Sequence, residues 1–226
     1  MGLRVCLSIL LCLVAGLGHG ACIGFEGFRN GAQVTKMTVD GVGVTVSATG
    51  GIGEAWIFDS SKLQGGDPDL KGPFRNAYRP WRKHDPGNLL IIQENKHGAP
   101  DDNARGGTIT FQFDRAVNVL GFKLFDDATV RVSSTSTRGR FKAAQPWAER
   151  RYANYNFGLT FAHVTNVSFR FDGSGAMDDL RFEAAAPVEA IPLPPGLALL
   201  AGGVATMGAV RTWQRRQANA AQTVAA

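Results

Sequence analysis

Short runs of β-forming residues separated by Gly, Asp, Asn and Pro do most to limit the fold of this 226-residue chain. Alternation is clearest in Thr108–Asp114, where Ile109, Phe111 and Phe113 share one face of the strand and polar residues share the other. No long stretch has helical periodicity, so the sequence predicts an all-β domain. About ten short strands favour a two-sheet antiparallel sandwich, jelly-roll-like in type. The predicted strands are Ile23–Phe28, Val42–Ala48, Ala55–Phe58, Leu89–Glu94, Thr108–Asp114, Val117–Asp126, Thr129–Ser133, Tyr152–Thr160, His163–Phe171 and Ala176–Glu183.

The predicted sandwich occupies residues 22–183, a length that suits one hydrophobic core. Within it, Leu89–Ile92 is continuously apolar, which is typical of a strand covered on both faces. Residues 60–88 and 95–107 are predicted to be long polar loops, where binding residues usually lie.

The N-terminus is predicted to be a secretory signal peptide, residues 1–21. Arg4 precedes an apolar run from Val5 to Leu17, and small residues follow it. This run is short for a membrane span, although an uncleaved anchor is the alternative. The chain is therefore expected to be exported.

Cysteine usage agrees with export, because Cys6 and Cys12 would leave with the signal peptide. Cys22 then remains alone, so no disulfide can form within one mature chain. Its position resembles a bacterial lipoprotein box, but His19 stands where that box has an aliphatic residue, and lipidation is a lesser alternative.

The C-terminus differs in composition from the domain. Residues 184–195 form a predicted linker whose four prolines cannot continue a strand or helix. Leu193–Val210 is an apolar stretch of 18 residues, about 27 Å long as a helix. We therefore predict a transmembrane helix with its arginine cluster over residues 196–216, and a disordered tail over 217–226. The arginines would lie in the cytoplasm and the domain outside.

A proline motif, an apolar helix and an arginine cluster in this order resemble the PEP-CTERM class of bacterial sorting signals, particularly its VPLPA variant. The resemblance implies recognition by a membrane exosortase in a Gram-negative bacterium that makes extracellular polysaccharide. Pro195 replaces the usual small residue of the motif, and Gln217–Ala226 extends past its usual end. A plain single-pass anchor is the alternative. The residues that carry the resemblance are Pro192, Leu193, Pro194, Pro195, Arg211, Arg215 and Arg216.

The net charge of +5 misrepresents the domain. Four of the 24 Lys and Arg lie in the end segments, whereas all 19 Asp and Glu lie between them, which leaves +1 for the stretch between. A nearly neutral domain gives no electrostatic case for nucleic acid, so no nucleic-acid partner is predicted. The local basic clusters are interpreted as solvated loop charge.

Two aspartates stand out because each is in phase with core residues of its strand: Asp178 with Leu180 and Phe182, and Asp126 with Phe122 and Leu124. A carboxylate directed toward the core needs a partner, a hydrogen bond or a metal. Calcium prefers clustered carboxylate oxygens, so a calcium site is predicted, although Asx turns use the same residues. The first candidate ligands are Glu26, Asp126, Asp178 and Asp179, and weaker candidates are Asp59, Asp67, Asp69, Asp101 and Asp102.

The domain also carries a second resemblance, through Phe25-Glu26-Gly27, Ile57–Ser60, Gly66–Leu70 and a closing Met-Asp-Asp-Leu-Arg-Phe. These segments are similar to uncharacterised secreted β-sandwich domains found upstream of such sorting tails. Jelly-roll carbohydrate-binding modules offer a looser analogy, in which Glu26 and Asp178 would hold a structural calcium.

Catalytic motifs are absent from the sequence, which has no nucleophile elbow, zinc-protease motif or phosphate-binding loop. A two-carboxylate glycoside hydrolase drawing on Glu26, Glu54 or Glu94 stays as an alternative, because its signature is spatial.

Aromatic side chains beside arginines form a candidate glycan site, since aromatic faces stack on sugar rings and arginine meets acidic groups. They are Tyr78, Trp81, Trp147 and Tyr152.

The leading expectation is a non-catalytic protein of the cell envelope or extracellular matrix, transiently anchored in the inner membrane by its sorting signal. A calcium-supported carbohydrate-binding module for exopolysaccharide is the alternative.

Overall fold

The computed structural model describes residues 20–62, 67–126, 129–144 and 150–186. All of them except Ala186 belong to one compact unit that ends at Ala185. This part of the chain contains strands and no helix, which confirms the predicted all-β class. The strands are β1 Ala21–Ile23, β2 Lys36–Val39, β3 Val42–Thr49, β4 Ala55–Asp59, β5 Phe74–Asn76, β6 Lys83–His84, β7 Asn88–Ile92, β8 Gly107–Phe125, β9 Thr129–Ser133, β10 Arg140–Ala144, β11 Arg151–Phe171 and β12 Ala176–Ala184.

These strands form one curled sheet in the order β10-β9-β11-β8-β12-β7-β4, with the remaining strands paired along its sides. Strand β3 pairs with β2 and β8, β1 with β12, and β5 with β11 and β6. The β5–β11 pair is parallel, and the other described pairs are antiparallel.

Two long strands replace four shorter predicted ones. Thr108–Asp114 and most of Val117–Asp126 lie in the single strand β8, and Tyr152–Thr160 and His163–Phe171 lie in β11. The register between β8 and β11 shifts three times from Asn156 to Asn166, where extra residues bulge out of the ladder. Such bulges bend a strand without ending it, so turn-like residues in the sequence here mark bends.

Other strand predictions need correction. The predicted strand Ile23–Phe28 is wrong beyond its first residue, because β1 ends at Ile23 and a turn follows. The predicted polar loop 60–88 contains β5 and β6, and its Leu70 and Phe74 are fully buried. Strands β2 and β10 are absent from the predicted set, since each is a short, half-exposed strand beside another one.

The main core lies on one face of β3, β8, β9 and β11. Alternation directs residues such as Val44, Phe111, Val132 and Phe169 into it, while their neighbours in sequence face solvent or are half-buried. A second core contains Phe58, Leu70, Phe74, Leu89, Ile91, Phe125, Tyr152 and Ala176.

Strand β7 separates the two cores. Leu90 and Ile92 belong to the main core, whereas Leu89 and Ile91 belong to the second core. Its five residues are all buried, which confirms the prediction that Leu89–Ile92 is covered on both faces.

Candidate functional site

Three carboxyl groups converge where the segment before β8 runs beside the end of β7. Asp67, Asp101 and Asp102 each place one carboxylate oxygen within 4.8 Å of the others. We call these three residues the aspartate triad. Backbone bonds position it: the N–H of Glu94 donates to Asp101 O (3.0 Å), and the N–H of Asn103 donates to Ile92 O (2.9 Å).

Asp102 is the most buried member of the triad, with 5% of its surface exposed. Its Oδ2 accepts hydrogen bonds from the Ser174 hydroxyl (2.7 Å) and from the N–H of Gly175. The same hydroxyl lies 3.2 Å from Oδ2 of Asp126, which is also buried. Because a serine hydroxyl carries one proton, it can donate to only one of these two carboxylates at a time.

The electrostatics of the triad disfavour three negative charges. Burial and a hydrogen bond with Asp67 raise the pKa of Asp102 to about 8. Burial, followed by the charges of Glu94 and Asp67, raises the pKa of Asp101. Within the described ranges, no basic side chain forms an ion pair with the triad. The triad therefore needs either a proton or a bound cation to be satisfied.

A second acidic cluster, formed by Glu26, Asp178 and Asp179, lies near β1 around a bulge in β12. Asp179 has a positive φ of 49°, and the register between β12 and β8 shifts after Asp178. Asp179 Oδ2 forms an ion pair with Lys123 Nζ at 2.5 Å, and Lys123 Nζ lies 3.2 Å from Nε2 of His84. Lys123 therefore already supplies a positive charge to this cluster.

Asp178 is the buried member of the second acidic cluster, with 4% of its surface exposed. Its Oδ1 has no hydrogen-bond partner among the described residues. Burial, then the charge of Asp179 and more weakly that of Glu26, raises the pKa of Asp178 to about 7. The phase of Asp178 in the sequence predicts that it faces the core, and its burial confirms this.

Replacing this carboxyl group should make the protein less sensitive to pH. The pKa of Asp178 is near 3.8 in the unfolded chain and near 7 in the folded protein, so the folded state keeps this proton to higher pH. Stability is therefore lost as pH rises between these values and stays low above them. Asp178→Asn is expected to raise the free energy of unfolding by about 1–3 kcal/mol near pH 8 and to change it little near pH 4. Urea unfolding at both pH values measures this.

The neighbouring Asp179→Asn is the matched control for that prediction. It removes the ion pair with Lys123 and should lower stability near pH 8. An Asp178→Asn variant that is less stable than the parent near pH 8 would contradict the assignment of Asp178 as an unfavourable buried charge.

The predicted calcium ligands are thus divided between two places. Glu26, Asp178 and Asp179 interact in the second acidic cluster, whereas Asp126 adjoins the triad through Ser174. Asp69 lies beside the triad, since its N–H donates to Asp67 Oδ1 at 2.8 Å. Asp59 lines a pocket together with Glu26 and pairs with Lys62 at 2.8 Å.

The structure places only some residues of the predicted glycan site at the surface. Trp81 and Tyr78 are exposed, at 75% and 64% of their surfaces. The prediction of Tyr152 as a surface aromatic is wrong, because its ring is buried in the second core and stacks on Phe125 at 5.9 Å. Trp147 lies outside the described residues.

The predicted signal peptide, linker, sorting motif and transmembrane helix also lie outside those residues, apart from Gly20, Ala21 and Ala184–Ala186. Among the residues that are described, no helix is long and apolar enough to cross a membrane.

Sequence reasoning missed several residues that shape these clusters. Ser174 and Gly175 hold Asp102, and Lys123 and His84 adjoin the second acidic cluster. Ser174 is 72 residues from Asp102 in the chain, so no local spacing could have connected them.

No protein-family model matches this chain, and no curated protein matches it either.

Proposed function

We propose that this protein is a non-catalytic, exported component of the cell envelope or extracellular matrix of a Gram-negative bacterium, whose domain is stabilised by calcium. The observation that carries the calcium proposal is the convergence of Asp67, Asp101 and Asp102 within 4.8 Å. Carboxylate oxygens at such spacing suit calcium, which takes roughly six to eight oxygen ligands. Asp101 is the least buried member of the triad.

The domain is proposed to be a two-layer, jelly-roll-like sandwich. The curled sheet supports this, because its long strands β8 and β11 bend at bulges and its apolar faces enclose the main core. Calcium would join the loop before β5 to the segment before β8, which lie far from each other in sequence.

Export and anchoring are proposed from the terminal sequences. Residues 1–21 have the pattern of a signal peptide, and residues 192–216 have that of an exosortase-processed sorting signal. The partners would be a membrane exosortase and, through the C-terminal helix, the inner membrane. The final location would be the cell envelope, outer surface or matrix.

A structural role is proposed over a glycoside hydrolase, because the sequence has no catalytic motif and two of the three predicted hydrolase carboxylates accept hydrogen bonds from the domain itself. Glu54 Oε2 accepts a hydrogen bond from Trp56 Nε1 (2.7 Å), and Glu26 Oε1 accepts one from the N–H of Asn88 (3.1 Å). A carbohydrate-binding module is the second candidate, because the exposed rings of Tyr78 and Trp81 are available for sugar stacking.

Thermal unfolding of the full-length protein in mild detergent tests the calcium proposal. At about 100-fold excess over Kd, calcium should stabilise the native state by about 2.7 kcal/mol, which corresponds to a Tm increase of about 5–10 °C. Magnesium at the same concentration is the control, since it demands a smaller octahedral site. A Tm that is the same in calcium and in chelator would overturn the proposal.

A further inference from the structure

Four basic side chains meet on the solvent face of β9, β10 and β11. Lys142 on β10 lies directly opposite Arg131 on β9, and Arg131 lies opposite Arg170 on β11. Arg140 lies on the same face of β10, next but one to Lys142. All four are exposed, because the residues of these strands alternate between this face and the core. We call Arg131, Arg140, Lys142 and Arg170 the cationic face.

These cations belong to one open groove, which they line together with Val132, Ser133 and Phe141. Adjacent strands lie about 4.8 Å apart, so Lys142, Arg131 and Arg170 form a row of closely spaced positive charges. Like charges directly opposite each other destabilise a sheet. On its own, a row of three positive charges therefore destabilises the sheet.

One carboxylate partly neutralises this row. Asp172 accepts from both terminal nitrogens of Arg131, at 3.0 and 2.9 Å. In the part of the chain that the structure describes, Arg140, Lys142 and Arg170 form no ion pair. Three positive charges on this face thus remain without a carboxylate partner there, on a domain that is nearly neutral overall.

Hydroxyl groups continue the same face across the sheet. Ser133 opposes Ser168, Ser168 opposes Thr110, and Thr110 opposes Ser47 on β3. The Thr110 and Ser168 hydroxyls are 2.9 Å apart, and the neighbouring row continues from Arg170 through Thr108 to Thr49. The solvent face therefore combines cations at one edge with short hydroxyl donors and acceptors over the adjoining strands.

We propose that the cationic face binds the carboxylate groups of an acidic polysaccharide, with its sugar hydroxyls against the adjoining Ser and Thr rows. Charge complementarity requires an anionic partner, and a face that continues from β10 to β3 suits an extended polymer with repeated charges. Arginine and lysine form charge-assisted hydrogen bonds with carboxylates, and arginine can do so with two nitrogens.

Features of the groove disfavour other polyanions. Its aromatic residue, Phe141, is half-buried and packs edge-on against Phe157 at 5.0 Å, so it offers no free face for stacking a nucleic-acid base. The large exposed apolar side chains of the described residues are Tyr78, Trp81 and Leu159, and none lines the groove. Insertion into a membrane needs such side chains, so this groove does not suit an inserting surface.

The proposal depends on the proposed export only because export would bring the protein into contact with such a polymer. It does not depend on calcium. The test uses full-length protein in mild detergent and polygalacturonate as the probe, with dextran as the neutral control polymer. The triple variant Arg140→Ser, Lys142→Thr, Arg170→Thr is compared with the charge-matched triple variant Arg29→Ser, Lys62→Thr, Lys96→Thr. The residues of the second variant are exposed and lie outside both the groove and the candidate glycan site around Trp81.

The parent should bind polygalacturonate and not dextran, and binding should weaken as salt rises because exposed charges are screened. The first triple variant should lose at least about tenfold in affinity, which is a modest loss for three charged contacts, while the second keeps parental affinity. Thermal unfolding confirms that both variants fold. Charge-preserving Arg140→Lys and Arg170→Lys should retain most of the binding.

Failure of this proposal is distinct from failure of the calcium proposal. Absence of polygalacturonate binding by the parent, or equal losses in the two triple variants, would overturn it. Equal or tighter binding to single-stranded DNA would overturn the assignment to a polysaccharide. The calcium-dependent change in Tm should be the same in the first triple variant as in the parent.

Discussion

Asp102→Asn is expected to abolish the calcium-dependent rise in Tm and, without calcium, to raise Tm near pH 8. The asparagine oxygen can still accept from Ser174 and Gly175, and its amide can donate to Asp67, so the hydrogen bonds of the triad are kept. The variant removes a charge that calcium needs and that burial disfavours.

The expected pH dependence follows from the raised pKa. The pKa of Asp102 is near 3.8 in the unfolded chain and near 8 in the folded protein. Between these pH values the folded state therefore binds one proton that the unfolded state has lost. In the parent without calcium, this group lowers stability progressively as pH rises from about 4 to about 8. The gain from Asp102→Asn should therefore be largest above about pH 8, on the order of 2 kcal/mol, and negligible near pH 4.

Thermal unfolding of the parent and the variant, in calcium and in chelator at both pH values, measures both effects. Asp114→Asn is the control, because Asp114 is exposed, pairs with Arg115 and lies on β8 away from the triad. It should keep the full response to calcium. A response to calcium that survives in Asp102→Asn would show that calcium binds elsewhere.

Phe122→Ala is expected to cost about 3–5 kcal/mol of stability, a Tm decrease of about 10 °C or more. Phe122 is fully buried in the main core, with Phe169 at 4.9 Å, Tyr155 at 5.5 Å and Phe157 at 5.6 Å between ring centroids. These aromatic partners come from β11, so removing the ring leaves a cavity where the two longest strands meet.

Urea unfolding with and without the substitution measures this loss. Phe122→Leu should cost less, since it keeps most of the buried apolar volume. Leu159→Ala is the second control, because Leu159 is 84% exposed and its truncation should change stability by less than about 0.5 kcal/mol. Equal effects of Phe122→Ala and Leu159→Ala would contradict the position of the main core.

The sequence predicted those parts of the fold that depend on local alternation. Ile109, Phe111 and Phe113 face the main core as predicted, because a period of two fixes which side chains share a face. The continuous apolar run of β7 and the inward phase of Asp178 were recognisable for the same reason. Strand length was not, since a bulge and a turn use the same residue types.

The sequence indicated that aspartates form the acidic clusters, but it did not indicate which of them meet in space. Asp101 and Asp102 are adjacent in the chain, but Asp67 and Ser174 reach them through pairing that local sequence does not encode. The cationic face has the same origin, because distant Arg131 and Arg170 become neighbours only where β9 pairs with β11. Grouping the basic residues along the chain therefore joins Arg140 with nearby loop arginines and leaves out its neighbours across the sheet.

Strand β12 has a mechanical consequence for a protein proposed to be held by its C-terminus. This last strand lies inside the sheet, bonded to β8 on one side and to β1 and β7 on the other. Tension applied to the chain beyond Ala184 would pull along β12 and load many ladder hydrogen bonds at once in shear. An edge strand pulled in the same direction would be held by the ladder of one side only, so this order of strands suits a domain that must stay folded while it is pulled.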